Sequence, residues 1–455
     1  MNKKMKKALI AVPLSVSLLI PTFSVADAHG HESHSKGQMS AEVTNPAIDL
    51  RASLDTLLSE HAFLAVVAMQ KGIDGKEDFE AAAGQLNQNT ETLSKAVASV
   101  YGEEAGAQFK EIWSSHIGFF VDYVTATAEN NEEGRKKALA DLDGYRMTQA
   151  DFLDKATEGR LKAKDLEEGL KVHVDQLVWA FESYRTGDYD KAYDNITEAM
   201  NHMFMTGKGL SWAITDQFPE KFENKSVDTP AADLRADLNS VFSTHAALAA
   251  LTMQKGIDGA KDFEAAAAEL NENTDDITAA VESVYGAEGA AQFKEIWSSH
   301  IGYFVDYVTA TAENNEEGKQ QAIKELDEYR AEQAAFLDTA TEGRLKAAEL
   351  EEGLKVHVDQ LLAAFNSYTG KDYPAAYKNI SEAYGHMFGV GQAMSGAIVD
   401  QFPEKFAGQK PSEMPKTGMG GMSQTNNDAV MWSFFGFLLA ALTGAMVLRK
   451  KASNN

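Results

Sequence analysis

Two sets of four histidines stand out in a chain that otherwise fills its apolar positions with Leu, Ala, Phe and Val: His61, His116, His173 and His202, then His245, His300, His357 and His386. Imidazole is the side chain that binds transition metals as a neutral ligand and titrates near neutrality. Each ring falls on an apolar face at helical spacing. Around His116, the positions three, four and seven residues away are Phe109, Ile112, Trp113, Phe119, Phe120 and Tyr123; around His61 they are Leu54, Leu57, Leu58, Leu64, Ala65 and Ala68. Placed inward without partners, such rings each cost about 1–3 kcal/mol of desolvation, a cost that a metal or a complete polar network removes.

Both readings follow from these residues. In the first, four imidazoles per set form a nitrogen-rich layer, with Glu198 and Glu382, one turn before His202 and His386, as a fifth ligand or as support. Imidazole suits zinc, copper, iron and nickel and disfavours calcium and magnesium. Two facing rings would also serve a non-covalent haem. The Glu-x-x-His pairs of dinuclear iron bundles are absent, the nearest spacing being Glu-x-x-x-His. In the second reading the rings form a satisfied core network, with Glu198, Gln176 and Tyr123 as hydrogen-bond partners.

The elements that must position these rings are helices. Residues 46–222 recur at 230–406 with a constant offset of 184, joined by a linker at 223–229, so a whole domain is duplicated. Apolar periodicity and turn residues predict six helices in the first copy, near 48–71, 76–101, 104–130, 132–157, 163–186 and 188–206, with room for the last to resume through Trp212, and no strands. Two all-α, up-down antiparallel bundles are expected. With the helices alternating in direction, the four histidines of a copy fall within about 4.5 Å of one height.

Composition narrows the function classes. The 68 Asp+Glu against 42 Lys+Arg give a net charge of −26, which repels nucleic acid. Cysteine is absent, so disulfides, thiolate metal sites and cysteine nucleophiles are excluded. No phosphate loop, Gly-x-Ser-x-Gly or His-Glu-x-x-His occurs, and no catalytic residue is assigned. The basic "MNKKMKK", the apolar run after it and "SVADA" make a secretory signal over 1–28, cleaved after Ala26 or Ala28. In either case a histidine, His29 or His31 respectively, is third from the new amine. With His34, these residues make an amino-terminal arm over 29–45 with the square-planar nitrogen set favoured by Cu(II) and Ni(II), or else a polar leader in which histidine is merely tolerated. The arm resembles the copper- and nickel-binding amino terminus of serum albumins.

At the other end, 429–448 is an uncharged apolar span followed by a basic tail at 449–455, the pattern of a membrane helix with its tail on the cytoplasmic side. Within the linker at 407–428 stands Met414-Pro415-Lys416-Thr417-Gly418. This order resembles the Leu-Pro-x-Thr-Gly sorting signals of Gram-positive surface proteins, which implies cleavage between Thr417 and Gly418 by a sortase and linkage to peptidoglycan. The only membrane contact expected is through the terminal helix.

The repeats themselves, especially "SEHAFLAVVAMQKGIDG" and "SVYGEEAGAQFKEIWSSHIG", resemble secreted helical repeat proteins of Bacillus-type bacteria that are often labelled copper amine oxidase. The resemblance implies a helical fold and a link to copper. The Asn-Tyr pair from which amine oxidases build their quinone is absent. The expectation is a surface-anchored metal-binding protein, copper first and haem, iron or zinc next, that is more a binder than an enzyme. The alternatives are a structural or interaction module with a buried histidine network and, more weakly, a metal-dependent oxidoreductase.

Overall fold

The computed structural model describes residues 42–407. The secretory signal, the arm with His29, His31 and His34, the Thr417-Gly418 motif and the apolar span at 429–448 lie outside the described residues. Within them the chain is all-α, with no strand.

The first copy comprises α1 (Pro46–Ile73), α2 (Phe79–Tyr101), α3 (Glu103–Ala128), α4 (Glu132–Ala156), α5 (Ala163–Thr186) and α6 (Tyr189–Gln217), closed by a 3-10 turn at Pro219–Phe222. The second comprises α7 (Pro230–Ile257), α8 (Phe263–Ala312), α9 (Glu316–Ala340), α10 (Ala347–Thr369), α11 (Tyr373–Gln401) and the short α12 (Pro403–Phe406). The caps explain the starts of α1 and α7. Asn45 accepts from the backbone N–H of Ala47 and Ile48, Thr229 accepts from that of Ala232, and a proline follows each cap where a missing N–H costs nothing. Gly102, at φ +94°, breaks α2 from α3. Its counterpart Gly286, at φ +79°, takes the same non-helical conformation, so α8 is two helices meeting at this glycine, as α2 and α3 do at Gly102. The sixth helix extends to Gln217, beyond its predicted end, and stops where Phe218 precedes Pro219.

In each copy the first helix is not one wall of a ring but its axis. Every residue from Ser59 to Lys71 in α1, and from Phe242 to Lys255 in α7, is buried. α1 is long and apolar enough to cross a membrane, yet 83% of its most apolar window is buried against the rest of the protein, the mark of an enclosed core helix. In the first copy α2, α3, α5 and α6 pack against this axis and α4 packs outside, on α3 and α5; the second copy repeats the arrangement, which puts His61 and His245 at the middle of their copies.

The sequence repeat and the core do not coincide. One contiguous apolar cluster takes residues from both copies, from Ala47 through Phe388. An approximate two-fold relation orders the join. Phe204 stacks on its own counterpart Phe388, with centroids 5.9 Å apart and planes at 2°. Arg51 reaches Asp233 and the Val227 carbonyl, while Arg235 reaches Asp49 and the Val43 carbonyl. Buried Lys71 pairs with Asp78, which also accepts from Tyr377; buried Lys255 pairs with Asp262, which accepts from Tyr193. This is the self-complementary pattern of a two-fold dimer interface, held within one chain.

The contact of α1 with α6 is tight enough to require glycine. A Cβ on Gly207 would lie 2.0 Å from Asp55 Oδ1 and 3.1 Å from the Asp55 backbone nitrogen, and the same geometry holds between Gly391 and Asn239. Gly207→Ala should therefore destabilise the protein by about 2–4 kcal/mol, by forcing the axis away from α6. A denaturant midpoint unchanged from wild type would show that the helices can part without cost.

Candidate metal centre

His61 of α1, His116 of α3 and His173 of α5 converge at mid-bundle, and His245, His300 and His357 do the same in the second copy. Within each trio one nitrogen from every ring lies within 4.8 Å of the others. All six residues are at most 2% exposed. His61 Nε2 stands 3.1 Å from His116 Nε2, and His300 Nε2 stands 3.2 Å from His245 Nε2. Nitrogens bound at about 2.0–2.1 Å around a tetrahedral ion are about 3.3 Å apart, so the closest pair already has nearly the separation a shared ion needs.

The orientation of His116 is fixed by its own helix. Its Nδ1 faces the carbonyl of Trp113, one turn back, and an N–H there donates to that oxygen, which leaves Nε2 as a lone pair aimed at the cluster. His300 does the same with Trp297. An imidazole that donates one N–H to a backbone carbonyl and offers its other nitrogen is the usual arrangement of a metal-ligating histidine. Trp113 lies edge-on to His116, and the Tyr145 ring stacks on it at 4.5 Å and 19°.

What surrounds the trio is polar and unpaired. His61 Nδ1, both ring nitrogens of His173, both amide atoms of Gln149, the Tyr145 hydroxyl and the Trp113 indole N–H are buried with no hydrogen-bond partner. The second copy repeats the set at His245, His357, Gln333, Tyr329 and Trp297. Buried polar atoms in native proteins are nearly always partnered, so a run of orphans at one place points to a group that the protein chain itself does not supply. Burial holds all these rings neutral. Desolvation, and then the proximity of the neighbouring imidazoles, pushes His61 and His173 well below the ordinary histidine range, and desolvation takes His116 down to about 3.

The expected layer of four is a trio with a bystander. His202 is buried beside His173, but its Nε2 donates to the Gly169 carbonyl at 3.1 Å, as His386 does to Gly353, and neither belongs to the converging nitrogens. The carboxylates stand outside as well. Glu198 is exposed, and Glu382 is half-buried and paired with Lys378 one turn away. A charged side chain at those positions gains more from water and lysine than from a desolvated core. The proposed network partners are also engaged elsewhere: Tyr123 donates to Glu182, and Gln176 reaches the Glu198 backbone carbonyl. Tyr145 and Gln149 escaped sequence reasoning, although they sit four residues apart on one face of α4 and recur at Tyr329 and Gln333.

No protein-family model, curated protein or solved structure matches this chain. The functional reading therefore rests on the site's own geometry. Buried groups of three histidines that could hold a metal ion are present in each copy.

Proposed function

We propose that the protein is a transition-metal binder of the cell envelope, with one site per copy formed by His61, His116 and His173 and by His245, His300 and His357. The observation that carries this reading is the convergence, twice, of three buried neutral imidazoles whose remaining nitrogens have either a backbone carbonyl or no protein partner at all. A core network would have satisfied those atoms internally, and this one leaves them open.

The donor set speaks for copper, and for its monovalent state. Imidazole nitrogen accommodates copper and zinc alike, but no carboxylate belongs to either trio, and the rings are buried among Trp, Tyr and Phe. A divalent ion there would keep both charges uncompensated at low dielectric, whereas a monovalent ion carries about a quarter of that Born cost, which grows as the square of the charge. Haem is the poorer fit. Two axial nitrogens flank an iron about 4 Å apart in line, and the Nε2 pair here is closer, with a third imidazole beside it.

The sequence supports an exported setting: a secretory signal at 1–28, an amino-terminal arm bearing His29, His31 and His34 that would capture Cu(II) or Ni(II), and an anchoring segment with Thr417 and Gly418. Within this proposal the arm collects ions and the buried trios store them, and chemistry on a substrate forms no part of it.

The test is elemental analysis of the full chain after loading with Cu(I), and separately with Zn(II), followed by a chelator wash. About two retained ions per chain are expected, about one in His116→Ala, and none in His116→Ala combined with His300→Ala, provided circular dichroism shows the variants folded. A wild-type protein that keeps no ion, or a double variant that keeps as many as wild type, would sink the proposal.

A further inference from the structure

A cavity of about 110 Å³ lies inside the first copy. It runs from half-buried Ser53 and Tyr101, at the end of the bundle that carries Gly102, inward to His173 and His202. Its wall is apolar, formed by side chains such as Leu54, Leu58, Leu93, Val97 and Phe152. In its wall stands Gln149, fully buried, with neither its amide N–H2 nor its carbonyl oxygen partnered. His173, also in the lining, has two unpartnered ring nitrogens, so a metal can take one and still leave the other free. The lining contains no Asp, Glu, Lys or Arg.

These features specify a ligand. An apolar cavity with a donor and an acceptor at one point of its wall complements a molecule with an apolar body and a single neutral polar head. A charged head would find no counter-charge and would pay its full desolvation. Apolar cavities of about 150 Å³ hold a six-carbon ring, so this one suits about four to six non-hydrogen atoms. A hydroxyl answers Gln149 best, because it can accept from the amide nitrogen and donate to the amide oxygen at once.

We propose that this cavity is a binding site for a small neutral molecule of the short-chain alcohol class, its hydroxyl seated on Gln149 and its alkyl chain along α1 and α2. The site adjoins the histidine trio, sharing His173 with it and Gln149 and Trp113 with its unpaired surround, but it requires no metal.

The second copy supplies the control. Phe242 stands where the first has Leu58, and its ring lies 6.0 Å from Trp297 in the space corresponding to the cavity. Leu58→Phe therefore installs in the first copy a residue that the fold already accepts at the equivalent position.

The test is calorimetric titration of the metal-free full chain with 1-pentanol and with pentane. Wild type should bind one pentanol saturably and pentane at least tenfold more weakly. Gln149→Leu should lose at least tenfold for pentanol and erase its preference over pentane. Leu58→Phe should abolish binding while circular dichroism stays that of wild type. The inference is overturned if wild type shows no saturable binding, if it prefers pentane, or if Leu58→Phe binds as wild type does. Because no metal is present, these outcomes do not depend on whether the trios hold one.

Discussion

Metal-free protein should unfold in mild acid, steeply, with a midpoint between about pH 4 and 5.5, and a bound metal should move that midpoint downward. The unfolded chain protonates its histidines near pH 6.5. The folded chain does not: burial holds His116 at about 3 and His300 at about 4, and drives His61, His173, His245 and His357 well below their ordinary value. Above pH 6.5 both states are neutral at these groups and the rings contribute nothing to pH dependence. Below it the unfolded state binds more protons, so stability falls as pH falls, and goes on falling until the folded pKa values are reached. Each ring contributes about 1.4 kcal/mol per pH unit once the unfolded state is fully protonated, and six together approach about 8 kcal/mol per unit. A total stability of about 5–15 kcal/mol is then exhausted within one or two units. The metal enters because it binds only the neutral rings of the folded state, and so competes with the protons. Far-ultraviolet circular dichroism against pH, with and without Cu(I), measures both effects. A midpoint below about pH 3.5 that no metal moves would mean that the rings are protonated in the fold at little cost, contrary to their burial.

How far the sequence could foresee this centre is clearest at individual residues. His61, His116 and His173 could be brought to one level by counting residues from helix ends, because the rise per residue is fixed and the turns at Gly102 and Gly187 are punctuated by glycine. Height along the bundle is thus legible, but rotation about each helix is much less so. His202 lies at nearly the right height, and a modest rotation hands its Nε2 to the Gly169 carbonyl instead of to the trio. The carboxylate of Glu198 fails for the same reason: four residues before His202 puts it on the same side of α6 but at the solvent edge. The axial place of α1 was foreshadowed by the unbroken apolar stretch "AFLAVVAM", which has no polar face to show to water. What no periodicity could indicate is the approximate two-fold join. Pairs such as Arg51 with Asp233 link residues 182 apart, and their complementarity appears only once the two copies are placed face to face.

That join also sets up the second large effect, at Asp55. This side chain is fully buried against Gly207, and both its carboxylate oxygens lack a hydrogen-bond donor, the nearest cation being Arg51 Nε at 3.8 Å. Desolvation outweighs the attraction of Arg51 and Arg235 and pushes the carboxyl up to about 8. The second copy carries Asn239 at the equivalent position, whose amide nitrogen, correctly oriented, donates to the carbonyls of Arg235 and Phe388. A protonated Asp55 is likewise neutral and carries one O–H donor where Asn239 carries two N–H donors. In the unfolded chain, however, the same carboxyl ionises near pH 3.9. The folded pKa is therefore raised, so the stabilisation is complete below about pH 4 and is lost progressively as pH rises toward 8, at about 1.4 kcal/mol per unit, on the order of 5 kcal/mol in all. Asp55→Asn removes the ionisation and keeps the donor. Its advantage over wild type in urea denaturation should grow by about 1.4 kcal/mol for each pH unit between 5.5 and 7.5, a difference in which the histidine contribution cancels because both proteins share it. If the advantage is the same at both ends of that range, or if the variant is the less stable protein throughout, then Asp55 is ionised in the fold and Arg51 is its true partner.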